Sequence, residues 1–186
     1  MKRNLTGFVL GLAGVFLITQ LATPSFARNK KTPSIAPEFT HSSDSEWLNS
    51  APLQLSEMRG QVVLVDFWTF DCWNCYHSFP WLNDLEERMA NSDFRIIGVH
   101  TPEFEHEKIR DNIAAKIKEF DLKHPVMIDN DFSYWRAMGN RYWPAFYLID
   151  KQGKVAASFV GETHKGDRQA RAIEKAIGNL LAESNE

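Results

Sequence analysis

Cys72 and Cys75 are the only cysteines in the chain, and two residues separate them in the stretch VVLVDFWTFDCWNCYHSFP. A pair so spaced can close a small structural disulfide, supply half of a metal site, or cycle between dithiol and disulfide. As a staple it would add little, because so short a loop removes only about 2 kcal/mol of chain entropy. Zinc takes four ligands, or three and a water. No second cysteine pair exists, and His77, two residues past Cys75, points well around a helix from it. The redox option fits the placement best. A thiol at the first turn of a helix lies near unpaired backbone N–H groups and the positive end of the helix dipole. Such a setting lowers a thiol pKa from about 8.5 to somewhere between about 3.5 and 7.5. The thiolate then attacks a disulfide, and a second thiol one turn along resolves the mixed disulfide.

That chemistry needs a strand that ends just before Cys72 and a helix that starts on it. The run GQVVLVDFWT is β-branched and aromatic and apolar on both faces, which predicts a buried central strand. A helix is predicted over residues 73–90, with Phe79, Leu82, Leu85 and Met89 on its inner face. FRIIGVHT reads as a second buried strand, residues 103–120 as a helix with Ile109, Ile113, Ile117 and Phe120 inward, and HPVMID as a third strand. Asp131 is placed to cap a short helix through Met138 that stops near Gly139. AFYLID and KVAASFVG, joined by KQG, form a hairpin. Asp167 caps a last helix with Ala170, Ile173, Ile177 and Leu180 inward. Strands alternating with helices, followed by a hairpin and a helix, imply an α/β fold of βαβ units with an antiparallel edge. In such sheets the site lies beyond the carboxyl ends of the strands, where Cys72 falls.

The 186 residues are 44% hydrophobic and 24% charged, enough for one compact domain. A net charge of −3 gives no reason to expect a nucleic-acid partner. The first 27 residues differ in kind: Lys2 and Arg3, an apolar core from Phe8 to Ile18, then Ser25 and Ala27 at the −3 and −1 positions of a cleavage site. This is the pattern of a secretory signal peptide; retained, the same segment would be a membrane anchor. Export places the chain in a compartment where disulfides persist. Residues 28–45 carry Pro, Ser, Thr and charge without apolar periodicity and read as a flexible or loosely docked lead-in. The domain is placed at residues 46–183, with 184–186 as a tail.

VDFW, three residues, CWNC and then Pro80 resembles the arrangement of the thioredoxin superfamily, and the resemblance extends over about residues 47–182. Within it the sequence is most similar to the exported TlpA-like branch, and especially to the thioredoxin module of DipZ-type proteins, through LQLSEMRGQVVLVDFW, GVHTPEFEHE and NRYWPAFYLID. The resemblance implies a thioredoxin-like fold: a single domain with a central mixed β-sheet flanked by helices. It implies catalysis by Cys72 as nucleophile and Cys75 as resolving thiol, which together form a redox-active disulfide. Asp66, six residues before Cys72, would relay a proton to Cys75. Trp73, Trp143 and Pro144 would contact the substrate, with Pro144 cis and opposite the cysteines. Trp68 would pack beneath the site, Pro80 would shape the helix, and His100 would be structural. No cofactor and no metal are expected. The implied partners are disulfide-containing exported proteins and a membrane thiol-electron donor.

Two departures bear on the chemistry. Asp71 stands where thioredoxins usually carry tryptophan, and its charge disfavours the neighbouring thiolate. Trp73-Asn74 replaces Gly-Pro between the cysteines. The relatives imply a disulfide reductase. An oxidase or isomerase of exported proteins is the alternative. A peroxidase would need a Pro/Thr-containing loop that WTFDC lacks. A copper chaperone of this fold would space its cysteines by three and add a distant histidine such as His100 or His164.

Overall fold

The computed structural model describes residues 34–184. Residues 1–27, read from the sequence as a signal peptide, residues 28–33 and residues 185–186 lie outside the described part. The described chain runs β1 (Trp47–Leu48), β2 (Val62–Trp68), α1 (Trp73–Met89), β3 (Phe94–His100), α2 (Arg110–Glu119), β4 (Val126–Ile128), α3 (Ser133–Met138), β5 (Ala145–Ile149), β6 (Val155–Val160) and α4 (Arg168–Ala182). The strands form one mixed sheet in the order β1-β4-β3-β2-β5-β6. β2 lies at its centre, parallel to β3 and antiparallel to β5. β3 and β4 are parallel, and β1 and β6 close the edges antiparallel. This is the central mixed sheet of a thioredoxin-like fold that the resemblance implies, and its antiparallel edge is the one the patterning predicts. No helix among the described residues is long and apolar enough to cross a membrane.

Every residue of β2 is buried, so both faces of the sheet must be covered. Val62, Leu64 and Trp68 join Phe79, Leu82 and Leu85 of α1, Ile113 and Ile117 of α2, and Ile173 and Ile177 of α4 in one cluster. Val63, Val65 and Phe67 face the other way, against Ala36, Phe39, Leu55, Met58 and Tyr134 of α3. Each fully buried aliphatic or aromatic side chain contributes about 1.5–3 kcal/mol, so β2 and its neighbours dominate the stability. Gly98 of β3 leaves room for this packing: a Cβ there would meet Trp68 Nε1 at 3.1 Å and Val126 Cγ2 at 3.1 Å.

Residues 34–45, assigned from composition to the lead-in, help to cover the second face. Ala36 and Phe39 are buried, and Ile35 makes an antiparallel bridge to Lys154. His41 holds this stretch in place. Its Nε2 lies 3.1 Å from Asp129 Oδ1 and its Nδ1 2.8 Å from Glu46 Oε1. Asp129 is itself fully buried and accepts the backbone N–H groups of Tyr134 and Trp135. The hydrogen bond to Asp129, aided by Glu46, raises the His41 pKa to about 9; Asp131 faces the same ring at 3.3 Å.

The predicted helix over residues 103–120 is two pieces. Glu105–Lys108 is a 3-10 turn, Ile109 is extended with φ −77° and ψ 111°, and α2 begins at Arg110. Ile113 and Ile117 are buried as the spacing requires, while Ile109 is 53% exposed. The break arises because the Glu107 side chain accepts the backbone N–H groups of Glu103 and Phe104 and so closes the turn locally. Before α3, Asp131 accepts the Ser133 N–H at 2.9 Å, although Phe132, in the left-handed region, is the residue that precedes the helix. Gly139, at φ 64°, ends it. Asp167 caps α4 through the Ala170 N–H.

A histidine whose pKa is raised on folding stabilises fully below its unfolded value, 6.5, and loses that contribution as pH rises through about 9. H41Q should therefore be less stable than the wild type by roughly 1–3 kcal/mol at pH 6.5. Urea unfolding measured across this range should show the gap narrowing as the pH rises from about 6.5 to about 9 and closing above that. A gap independent of pH would mean that His41 acts by shape alone.

Candidate active site

Cys72 is the N-cap of α1, with extended backbone at φ −85° and ψ 106°. Its Sγ accepts the Cys75 N–H at 3.2 Å, and its carbonyl accepts the N–H groups of Cys75 and Tyr76. The cap role that Ser or Asp usually fills is thus filled by sulfur. Cys75, one turn along, is fully buried, while Cys72 is only partly so. The two are joined as a disulfide with Cα atoms 5.2 Å apart. Cys72 is therefore the more accessible of the two from solvent.

Asp66 lies on β2, in register with Gly98 and Phe146. Strand alternation puts it on the same face as Leu64 and Trp68, the face against which α1 and Cys75 pack. It is 1% exposed, and its Oδ1 has no hydrogen-bond partner. Desolvation raises its pKa from 3.8 to about 8. It is thus a carboxyl group that stays protonated well into the neutral range and can exchange its proton there. Trp68 is fully buried, edge-on to Phe79 at 5.4 Å and to His100 at 4.8 Å between ring centroids. His100 is buried between Trp68 and Phe70, and desolvation pushes its pKa down to about 3, so it is neutral and part of the packing.

Around the disulfide, Trp73 is 68% exposed on the first turn of α1, with its ring 4.6 Å from that of His77. The Trp143–Pro144 peptide is cis, and Pro144 is buried at the start of β5. Trp143 packs on Trp135 at 4.3 Å and borders the same apolar cluster that Cys72 borders. Trp143 and Cys72 thus both border that cluster, and Trp73 is not among the residues packed on it. Tyr142 and Phe104 are exposed aromatics as well.

Two features of the site lie outside the reach of spacing arguments. Asp71 Oδ2 is 2.6 Å from His106 Nε2, within hydrogen-bond distance. Both groups are substantially exposed and solvent-screened, and the pair contributes little to stability. Glu107 is fully buried behind the turn that precedes Cys72 and accepts from Thr69 Oγ1 at 2.6 Å and from the Asp71 N–H at 3.0 Å. In sequence it is one more acid in EFEHEK, and no periodicity marks it.

Among the described residues, two groups have metal-ligand chemistry: His77 with Glu162 and His164, and His41 with Asp129 and Asp131. In the first, a single oxygen, Glu162 Oε1, faces both His77 Nδ1, at 2.9 Å, and His164 Nε2. In the second, both ring nitrogens of His41 face carboxylates. In both groups the histidine nitrogens lie at hydrogen-bond distance from carboxylate oxygens. Neither includes a cysteine.

A family model described as Redoxin matches residues 29–177. The protein DipZ of Mycobacterium tuberculosis is 40% identical over 62% of this chain and 17% of its own length. Plant and animal relatives at 36% to 41% identity are likewise matched over only 13% to 18% of their lengths. The thiol-disulfide oxidoreductase YkuV of Bacillus subtilis is 26% identical over 80% of this chain and 95% of its own. A solved structure of a thioredoxin-like protein in its oxidized form superposes with a TM-score of 0.70, at 26% identity, over 83% of this chain and 99% of the other.

A buried carboxyl group whose pKa rises on folding lowers stability as the pH climbs from about 4 toward 8, because the unfolded chain ionises first. D66N should therefore unfold at higher urea than the wild type near neutral pH, by on the order of 3 kcal/mol, with the gap vanishing below about pH 4. Denaturation of the oxidised protein across that range measures it. A variant that is less stable at every pH would show that Asp66 is held by favourable contacts instead.

Proposed function

Because the chain belongs to the Redoxin family and carries the thioredoxin-like fold, we propose that it is an exported thiol-disulfide oxidoreductase that works as a reductase of disulfides in exported proteins. The observation that carries this reading is the partly exposed Cys72 sulfur, capped by the Cys75 N–H and bonded to a buried Cys75. The named activity of YkuV, matched over 95% of its length, supports the reaction class. The apolar, cleavable pattern of residues 1–27 supports export.

In the reduced protein, the Cys72 thiolate attacks one sulfur of a client disulfide. A mixed disulfide forms, and the other client sulfur leaves as a thiolate that takes a proton from water. Cys75 then gives its proton to Asp66 in the molecules where that carboxyl is ionised, a fraction that grows as the pH nears 8, and attacks Cys72 Sγ. The mixed disulfide breaks, the second client thiolate is released, and the Cys72–Cys75 disulfide remains. Two electrons pass from the dithiol to the client, and a dithiol donor must return them. A group that titrates near pH 8 is suited to take a proton from a buried thiol and give it back. The Trp143 backbone beside cis-Pro144 would pair with an extended client segment, as in strand addition, and Trp73 would lie against its side chains.

Reduced protein supplied with a small dithiol should cleave insulin disulfides, and C72S should abolish this. C75A, with its resolving thiol gone, should accumulate mixed disulfides with exported proteins. The dithiol's reduction potential should fall near that of thioredoxin, about −270 mV; a value near about −120 mV would make the protein an oxidant. Failure of insulin cleavage together with an absence of trapped partners would contradict the assignment.

A further inference from the structure

Glu107 has a position that the reaction as described does not use. It is fully buried, and its two carboxylate oxygens serve two different segments. Oε1 accepts from the Thr69 hydroxyl and the Asp71 N–H, on either side of Phe70 in the turn that leads into Cys72. Oε2 accepts from the N–H groups of Glu103 and Phe104. No lysine or arginine pairs with it among the described residues; all four partners are neutral donors. A buried carboxylate is costly unless its lone pairs are met, and here the turn before the nucleophile meets half of them.

Side-chain contacts of the turn run from Asp71 to His106 and from Thr69 to His100, but its backbone has few other ties. The Cys72 N–H reaches the Thr69 carbonyl only at 3.4 Å. Phe70 is stacked on His100 with centroids 5.6 Å apart, which fixes its side chain but not the flanking peptide groups. The backbone of Asp71 therefore depends on Glu107 for its hydrogen bond, and Asp71 is the residue whose orientation sets where the Cys72 backbone joins α1.

We propose that Glu107 is a positioning residue for Cys72: by holding Thr69 and Asp71 from behind, it fixes the turn that delivers the sulfur onto the amino end of α1. This rests on the reading of Cys72 as the attacking thiol. Glu107 acts through geometry, so a carboxylate of the wrong reach does not replace it. Its removal lets the cap loosen, and the thiolate loses part of its stabilisation by the Cys75 N–H.

The test uses two conservative variants. E107D shortens the arm by one methylene, and T69V removes one donor while nearly preserving side-chain volume. In the reduced full chain, iodoacetamide reads Cys72, because Cys75 is buried. The pH profile of alkylation should shift upward in both variants. On the acidic side of the midpoint, the rate should fall about threefold to tenfold, the equivalent of one lost hydrogen bond. Circular dichroism should show both folded, and T69V remains informative if E107D does not fold. An unchanged or downward-shifted midpoint in T69V, or wild-type behaviour of E107D, overturns the proposal. A wild-type midpoint at the ordinary cysteine value would instead undermine the reading of Cys72 as nucleophile, whatever the variants do.

Discussion

The arrangement turns on one sulfur atom held at the amino end of a helix. Cys72 Sγ accepts a backbone N–H of the first turn, at the point where unpaired donors and the helix dipole favour negative charge. Everything nearby is arranged to put it there. β2 is buried along its whole length and cannot slip in register without turning its apolar faces outward. α1 is fixed against β2 by Phe79, Leu82 and Leu85. The turn between them is short, so small changes in its backbone are transmitted directly to the sulfur.

The site also gathers polar groups that a core would ordinarily exclude. Asp66 is buried with an unpartnered oxygen, His100 is buried neutral, and Glu107 is buried with four donors. These are three different solutions to one cost. Asp66 keeps its proton, His100 gives its proton up, and Glu107 is supplied with hydrogen bonds. Only the first titrates near the neutral range. The third stiffens the loop. The groups that favour and disfavour the thiolate therefore coexist within a few residues, with Asp71, hydrogen-bonded to His106, opposing the helix end.

Much of this was legible in the sequence, for identifiable reasons. VVLVDFW is apolar on both faces, and such a run has few homes other than a central strand. Cys72 followed that strand and preceded a helical period, so its place at the strand end could be read without relatives. The cis geometry at Pro144 came only through the resemblance, since most X–Pro bonds are trans. The packing of residues 34–45 was not legible: Ala36 and Phe39 are too sparse to form a period, and the His41–Asp129 contact joins positions 88 residues apart. The break at Ile109 was hidden because Ile109, Ile113 and Ile117 share a helical spacing, while the cause is a side-chain contact of Glu107 that spacing cannot show.

The most direct test is a pH titration of the reduced protein, following the ultraviolet absorbance of the thiolate that Cys72 contributes. A sulfur stabilised by the helix end should ionise with a midpoint below about 7.5. A midpoint at or above about 8.5, that of an unperturbed cysteine, would contradict the central claim.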